Sequence, residues 1–234
     1  MRAEGKGMIG CFVTGTDTGV GKTLASCALL HALAVHHARV VGMKAVAAGA
    51  EPDGQGGSVN EDTVALRAAS TLAVPPALDN PVLLPDPMSP HIAARRAGVE
   101  VTLTPILDAY RQLAAQADAV VVEGAGGWRV PLSETLCIAD LAVALQLPVV
   151  LVVGLKLGCL NHAVLTAEAI RAAGLPLAGW VASRVEPQML VPEENMDWLR
   201  NQLGRLGAPL LADIPWQATP DPRLTSFSLP KEWQ

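Results

Sequence analysis

The sequence predicts a single α/β domain in which helices flank a mostly parallel central sheet. Three observations carry this. Short β-branched runs alternate with Ala- and Leu-rich stretches of helical length, the pattern of successive βα units. Aromatic residues are scarce, with five Trp, two Phe and one Tyr. The core must then come from Ala, Val and Leu, which suits helices packed on a parallel sheet better than an all-β sandwich. Finally, 234 residues, half of them apolar, are enough for one large core, and no stretch reads as a linker between two.

Taken in order, Ile9–Thr14 is an apolar run closing on a Gly-Thr turn and reads as the first strand. Lys22–Val35 follows as a helix, Arg39–Ala45 as a strand and Glu61–Ala69 as a helix with acids in its first turn. Between the last two, Gly49–Gly57 is Gly-rich and polar, the composition of a mobile loop. Pro75–Pro90 holds six prolines in sixteen residues, which predicts an extended wall with no regular element. Thr104 and Pro105 have the chemistry of an N-cap and a first helical position, so a helix is expected at Pro105–Gln116. Ala119–Glu123 is a strand, Ile138–Gln146 a helix, and the uniformly apolar Pro148–Val153 a buried strand. Helices His162–Ala173 and Glu193–Leu206 end where Gly174 and Gly207 can cap them, and strands Leu177–Ala182 and Leu210–Ile214 complete the set. Beyond Trp216 there is no periodicity.

Composition excludes several roles. With 17 basic and 22 acidic residues the net charge is −5, which argues against a general nucleic-acid or anionic-membrane binder. The longest apolar stretch, Leu147–Leu155, is too short to span a bilayer. The run after Arg2 and Lys6 is only Ile9–Val13 and lacks a small-residue cleavage site, so a cytoplasmic protein is expected. Cys11, Cys27, Cys137 and Cys159 are widely spaced and form no CxxC pair, which reads as reduced intracellular thiols. No His/Cys cluster has zinc spacing.

The most informative segment is Gly15-Thr16-Asp17-Thr18-Gly19-Val20-Gly21-Lys22-Thr23, which follows a strand and opens a helix. Backbone N–H groups at a helix N-terminus cradle phosphates, and glycine lets the backbone come close. Lys22 supplies a point charge for the β/γ oxygens and the Thr23 hydroxyl a Mg²⁺ ligand. Five residues separate Gly15 from Gly21, against four in the ordinary GxxxxGK[ST] motif. Glu123, at the carboxyl end of an apolar strand and followed by Gly124-Ala125-Gly126-Gly127, stands where a nucleotide's metal is held.

Seven segments, VTGTDTGVGKT (13–23), GMKAVAAG (42–49), MSPHI (88–92), VEGAGGW (122–128), LVVGLKLGCLNHA (151–163), LAGWVAS (177–183) and DIPW (213–216), occur in an order that closely resembles the dethiobiotin synthetase family of P-loop proteins. That family's loop carries the same extra residue. The resemblance implies a single P-loop ligase domain over residues 1–234 that joins 7,8-diaminononanoate and CO2 into the ureido ring of dethiobiotin, with ATP giving ADP and phosphate. The diamine takes up CO2 as a carbamate, the carbamate oxygen attacks the γ-phosphate, and the second amine displaces phosphate and closes the ring. Positioning and charge neutralisation suffice, with no protein nucleophile.

Residue by residue, the resemblance makes Lys22 and Lys44 the catalytic ammonium groups and Thr23, Asp62 and Glu123 the Mg²⁺ environment. Nucleotide contacts fall to Thr18, Gly19, Val20, Gly21, Lys22, Thr23, Leu24, Asp62, Glu123, Gly124, Ala125 and Gly126, and at the base end to Ser183, Arg184, Ile214, Pro215 and Trp216. Substrate contacts fall to Thr18, Lys44 and Ala48 and, across a homodimer interface, to Leu157, Cys159 and Asn161, where backbone amides and the Asn161 side chain meet the substrate carboxylate. Asn161 read without the resemblance is a helix cap, and Asp62 a first-turn acid favoured by the helix dipole. His91 and His162 are given no role. The sequence departs from the family at Ala48, which lacks a hydroxyl, at Ser183-Arg184 in place of Asn-Asp, and at Gly19. The alternative is a partitioning-type switch ATPase, which usually carries a second lysine early in the loop, where this chain has Thr16 and Asp17. A corrinoid-type amidotransferase would need a glutaminase domain for which the chain has no room.

Overall fold

The structure is a computed structural model that describes residues 8–54 and 56–234; Arg2 and Lys6 lie outside the described residues. Six strands form one parallel sheet: β1 (Ile9–Gly15), β2 (Val40–Lys44), β7 (Ala119–Gly127), β8 (Val149–Gly154), β9 (Leu177–Ser183) and β10 (Leu210–Ile214). Their order is β10-β9-β8-β1-β7-β2, with every neighbouring pair parallel. Two smaller pairs sit beside it. β3 (Val46–Ala48) is parallel to β6 (Val82–Leu84), and β4 (Glu51–Pro52) is antiparallel to β5 (Ser58–Val59).

Alternate side chains go to opposite faces of a strand. In the central sheet both faces are apolar, and each is covered. Phe12, Val120, Val122, Leu151 and Trp180 belong to one buried cluster, and Cys11, Val13, Val121, Val150 and Val152 to the other. The helices are α1 (Lys22–Ala34), α2 (Glu61–Ala69), α3 (Pro76–Asp79), α4 (Pro90–Ala97), α5 (Leu103–Gln116), α6 (Ile138–Leu145), α7 (Cys159–Ala172) and α8 (Pro192–Arg205). Leu29, Leu30 and Leu33 of α1 join the second cluster, while Ile106 and Leu113 of α5, Leu141 of α6 and Ile170 of α7 join the first.

The six expected strands and six expected helices are all present, most within a residue or so of the expected ends. Gly174 and Gly207 both have φ near 79°, just past the ends of α7 and α8, as helix-terminating glycines should. Five expectations need correction. The second strand leaves the sheet after Lys44, where Ala45 N–H donates to Glu123 O at 3.3 Å, and the next residues pair with β6 instead. Pro75–Pro90 is not a featureless wall. It holds α3 and β6 and starts α4, because proline fits a first helical turn, whose N–H groups have no partner anyway. A paired Arg67–Asp79 fork at 2.6 and 2.7 Å ties α3 to α2. Thr102, not Thr104, is the N-cap of α5, so Pro105 is the third helical residue.

Gly49–Gly57 holds β4 and turns back into β5 just beyond it, a turn closed by Asp53, which donates its N–H to Gly57 O at 3.1 Å and accepts Gly57 N–H on Oδ1 at 2.8 Å. Helix α7 starts three residues earlier than expected, with Gly158 at φ 94° as N-cap. Asn161 therefore lies inside the first turn and does not cap. After Trp216 the chain makes two short 3₁₀ turns and returns to α1, where Trp233 is buried and its carbonyl lies 3.0 Å from His37 Nε2. All four cysteines are free, and no described helix is long and apolar enough to cross a membrane.

Candidate active site

The carboxyl ends of β1, β2 and β7 open on one cavity of about 760 Å³. Strand β1 hands the chain to the phosphate loop, and α1 begins at Lys22 with Gly21 as N-cap at φ 81° and no side chain capping it. The first N–H groups of α1 are thus left for a ligand, the arrangement that attracts phosphate. Gly21 also has no room for a side chain, since a Cβ there would stand 2.6 Å from Ser183 Oγ. Gly126 is likewise left-handed at φ 61°, and a Cβ there would lie 2.7 Å from Val130 Cγ2.

At the centre of the site is a four-group charge cluster. Lys44 Nζ donates to Glu123 Oε1 at 2.6 Å, to Asp62 Oδ2 at 2.7 Å and to Gly124 O at 3.5 Å. Thr23 Oγ1 lies 2.7 Å from Asp62 Oδ1 and 3.0 Å from Glu123 Oε1, two acceptors for one hydroxyl proton. Lys22 Nζ donates to Asp17 O at 3.2 Å. Lys22, Lys44 and Glu123 are all buried. Burial acts to lower the Lys44 pKa, yet Glu123 and Asp62 outweigh it and hold the ammonium above its ordinary value. Lys22 goes the other way, lowered first by burial and then by the nearby Lys44 charge. Burial would raise the Asp62 pKa, but Lys44, Thr23 and Lys22 bring it below the usual carboxyl value.

Glu123 Oε2 is buried with no hydrogen-bond partner among the described residues. An orphaned anionic oxygen beside a Thr hydroxyl and a second carboxylate is a donor set that fits Mg²⁺, which takes one or two carboxylates and leaves its other positions to phosphates and water. Cys27 lies one helical turn after Thr23 on α1, its thiol pushed up to about 12 by burial and by the Glu123 and Asp62 charges.

Of the residues expected at the site, Thr18, Gly19, Gly21, Lys22, Thr23, Leu24, Lys44, Ala48, Asp62, Ala125 and Gly126 line the cavity. Val20 does not. It is buried, and the Cβ positions of Gly15 and Gly154 would lie 2.7 and 2.8 Å from its methyl groups, so it wedges the loop against two strands. Ser183, Arg184, Ile214, Pro215 and Trp216 also lie off the cavity wall but gather at the neighbouring ends of β9 and β10, where Ile214 is the register partner of Ser183. The Arg184 guanidinium is paired through Nε and Nη2, with Asp213 at 3.0 and 2.8 Å and Glu193 at 2.8 Å. At the head of α7, Leu157 is 96% exposed, Cys159 is buried and Asn161 faces solvent. None of these three reaches the cavity of its own chain.

Sequence reasoning missed the residues that hold the cluster in place. Asn80 Nδ2 donates to Lys44 O at 2.8 Å and fixes the end of β2. Asn60 caps α2 by accepting Asp62 N–H at 3.1 Å, and its amide donates to Gly49 O at 3.1 Å. An Asn before an acidic first turn is a recognisable cap signal, whereas the long-range contact of Asn80 leaves none in sequence. Pro87, Met88, Ser89 and Pro90 complete the cavity wall.

Similarity to known proteins extends over nearly the whole chain. The AAA domain family matches residues 10–223. The chain is 58% identical over 216 residues to the ATP-dependent dethiobiotin synthetase BioD of Ralstonia nicotianae, covering 92% of this chain and 93% of that one. It is 54% identical over 210 residues to the same-named protein of Xanthomonas axonopodis pv. citri, covering 90% and 92%. Among solved structures, the cell division protein ftsY of Thermotoga maritima superposes with a TM-score of 0.55 at 13% identity, over 100% of this chain and 69% of that one. A ParA family ATPase from Chlorobium tepidum superposes with 0.51 at 15%, over 89% and 85%. At such identities these two share the fold alone.

Proposed function

Because the chain belongs to the ATP-dependent dethiobiotin synthetases, ligases of biotin biosynthesis built on a P-loop domain, we propose how its own residues carry that reaction. The substrates in this reading are 7,8-diaminononanoate, CO2 and ATP. The observation that carries it is the pairing of Lys44 with Glu123 and Asp62 at 2.6 and 2.7 Å beside the phosphate loop. All of the chain acts as one ligase domain, and its four free cysteines suit a cytoplasmic setting.

The phosphate-loop amides from Gly19 to Leu24 and the Lys22 ammonium take the triphosphate, with Thr18 beside them in the cavity and the base lying towards Ser183, Arg184, Ile214, Pro215 and Trp216. Thr23, Asp62 and Glu123 would hold Mg²⁺, which supplies neutralisation of phosphate charge. Lys44 keeps its proton and faces the carbamate oxygen and the γ-phosphoryl group, where negative charge accumulates as the oxygen attacks. Such charge stabilisation by a fixed donor is the main demand of phosphoryl transfer. Thr18, Lys44 and Ala48 border the diamine end of the substrate, Ala48 through its main chain.

The substrate's carboxylate lies several carbon–carbon bonds from its amines. In the proposed homodimer it meets the turn and first helical residues Leu157, Cys159 and Asn161 lent by the second subunit. Support comes from the exposed Leu157 and the 57% exposed Leu165 on α7, apolar side chains of the kind an interface covers. Cys159 is buried and its N–H donates to Lys156 O at 3.0 Å, so its part is to shape the turn that presents its neighbours. Product analysis by mass spectrometry after incubation with diamine, bicarbonate, ATP and Mg²⁺ tests the reading. ATP turnover that is the same with and without diamine rejects it and favours a switch ATPase.

A further inference from the structure

Asp17 places a carboxylate inside the phosphate loop, next to the amides that a triphosphate must reach. It is the single acidic residue between Gly15 and Thr23. Three contacts define its position. Oδ1 accepts the Thr18 N–H at 2.7 Å, Oδ2 lies 2.8 Å from Lys156 Nζ, and the main-chain carbonyl accepts from Lys22 Nζ at 3.2 Å. Lys156 arrives from the turn after β8, separated from Asp17 by 139 positions. The two side chains are 31% and 47% exposed, so the pair stands at the surface beside the loop rather than in the core.

We propose that Lys156 is a positioning residue for nucleotide binding. By pairing with Asp17 it cancels the only negative side chain of the phosphate loop and pins that loop to the head of α7. Both consequences follow from the same contact. An uncompensated carboxylate among phosphate-binding amides repels a triphosphate, and repulsion between charges a few ångströms apart remains appreciable near a protein surface. The Asp17 side chain is nonetheless useful to the loop, since its Oδ1 fixes the Thr18 amide. Lys156 lets the loop keep that hydrogen bond without its electrostatic cost. Both members are charged at neutral pH. Lys156, aided by the Thr18 amide, holds the Asp17 carboxyl below its ordinary range, and Asp17 raises the Lys156 ammonium.

The test is calorimetric titration with a non-hydrolysable ATP analogue and Mg²⁺. Diamine is left out, so the outcome is independent of the substrate and dimer assignments above. Lys156→Met is expected to weaken analogue binding about tenfold, the scale of one unmasked charge beside a multivalent anion. Asp17→Asn/Lys156→Met is expected to bind within about threefold of wild type, because the neutral amide still accepts the Thr18 N–H but no longer repels phosphate. Lys156→Arg keeps the charge and binds as wild type does. Raising the salt to about 1 M shrinks the ratio between Lys156→Met and wild type, since exposed charges are then screened within a few ångströms. A merely structural strut behaves differently, leaving the double variant no better than Lys156→Met and the ratio unchanged by salt. That result, or wild-type affinity in Lys156→Met, overturns the proposal. If Lys156→Met fails to fold, Lys156→Gln gives the same comparison.

Discussion

Lys44 and Glu123 are register partners on adjacent parallel strands, and their side chains meet with Nζ 2.6 Å from Oε1. Their side chains are 5% and 0% exposed, so each is the other's main compensation for lost water. Removing one member of such a pair costs roughly 3–5 kcal/mol, mostly as the penalty of the buried charge left behind. Lys44→Met should therefore lower the unfolding free energy in urea by about 3 kcal/mol. Lys44→Met/Glu123→Leu, which removes both charges, should recover most of the loss. Equal destabilisation by the single and double variants would show that packing, not charge, holds this corner.

Activity should separate the two lysines. Lys22→Ala removes a charge that meets ATP in the ground state, so nucleotide affinity and turnover fall together. Lys44→Ala acts on charge that develops during the reaction, and kcat should drop by about two orders of magnitude with a much smaller change in nucleotide affinity. Steady-state kinetics with nucleotide titrations check both. Wild-type turnover in Lys44→Ala would remove Lys44 from catalysis.

Asp62 gives a pH signature. Its folded pKa is below the ordinary 3.8, and such a shift contributes stability that is present above the unfolded pKa and lost as pH falls through the folded one. Wild type should exceed Asp62→Asn in stability near neutrality, and the gap should close as the pH is taken below 3.8. Urea midpoints of both proteins across that interval check it; a gap independent of pH would contradict the assignment.

Gly21→Ala should damage the phosphate loop in two separable ways. The left-handed backbone costs about 1–2 kcal/mol for any residue with a Cβ, and the added methyl also meets Ser183 Oγ. Adding Ser183→Gly relieves only the second. ATP affinity should fall in Gly21→Ala and return part of the way in the double variant. Full recovery would mean that the backbone angle carries no cost.

The proposed homodimer predicts complementation. Asn161→Ala should raise KM for the diamine and change that for ATP little. Mixed with Lys44→Ala subunits it should regain part of the lost activity, since one composite site in each hybrid dimer is intact. No recovery despite verified subunit exchange, or a fully active monomer, would place the carboxylate elsewhere.

The legible parts of this protein were those written in local chemistry. The strand that ends at Glu123 and the GKT after a strand announce themselves because apolar runs and glycines act over a few residues. Pro75–Pro90 misleads for a local reason too, since proline breaks helix interiors yet starts helices, and α3 and α4 both begin with one. The early start of α7 was hidden because Gly158 reads as a turn residue and caps as well. What the sequence withheld entirely were pairings over distance. Asn80 on the Lys44 carbonyl and Lys156 on Asp17 span 36 and 139 positions, and only the crossing of strands brings them together.

The scarcity of aromatic rings has a practical side. Trp180 is fully buried in the sheet and Trp233 and Trp128 nearly so, while Trp216 at the end of β10 is 48% exposed and Trp198 on α8 is 41% exposed. In a Trp198→Phe protein, Trp216 would be the one indole among the described residues that iodide can readily quench. A base settling at the ends of β9 and β10 would shield that ring and leave the buried ones dark to the quencher throughout. With the base in the proposed place, the chain would carry its own fluorescent reporter of nucleotide arrival, with no dye attached.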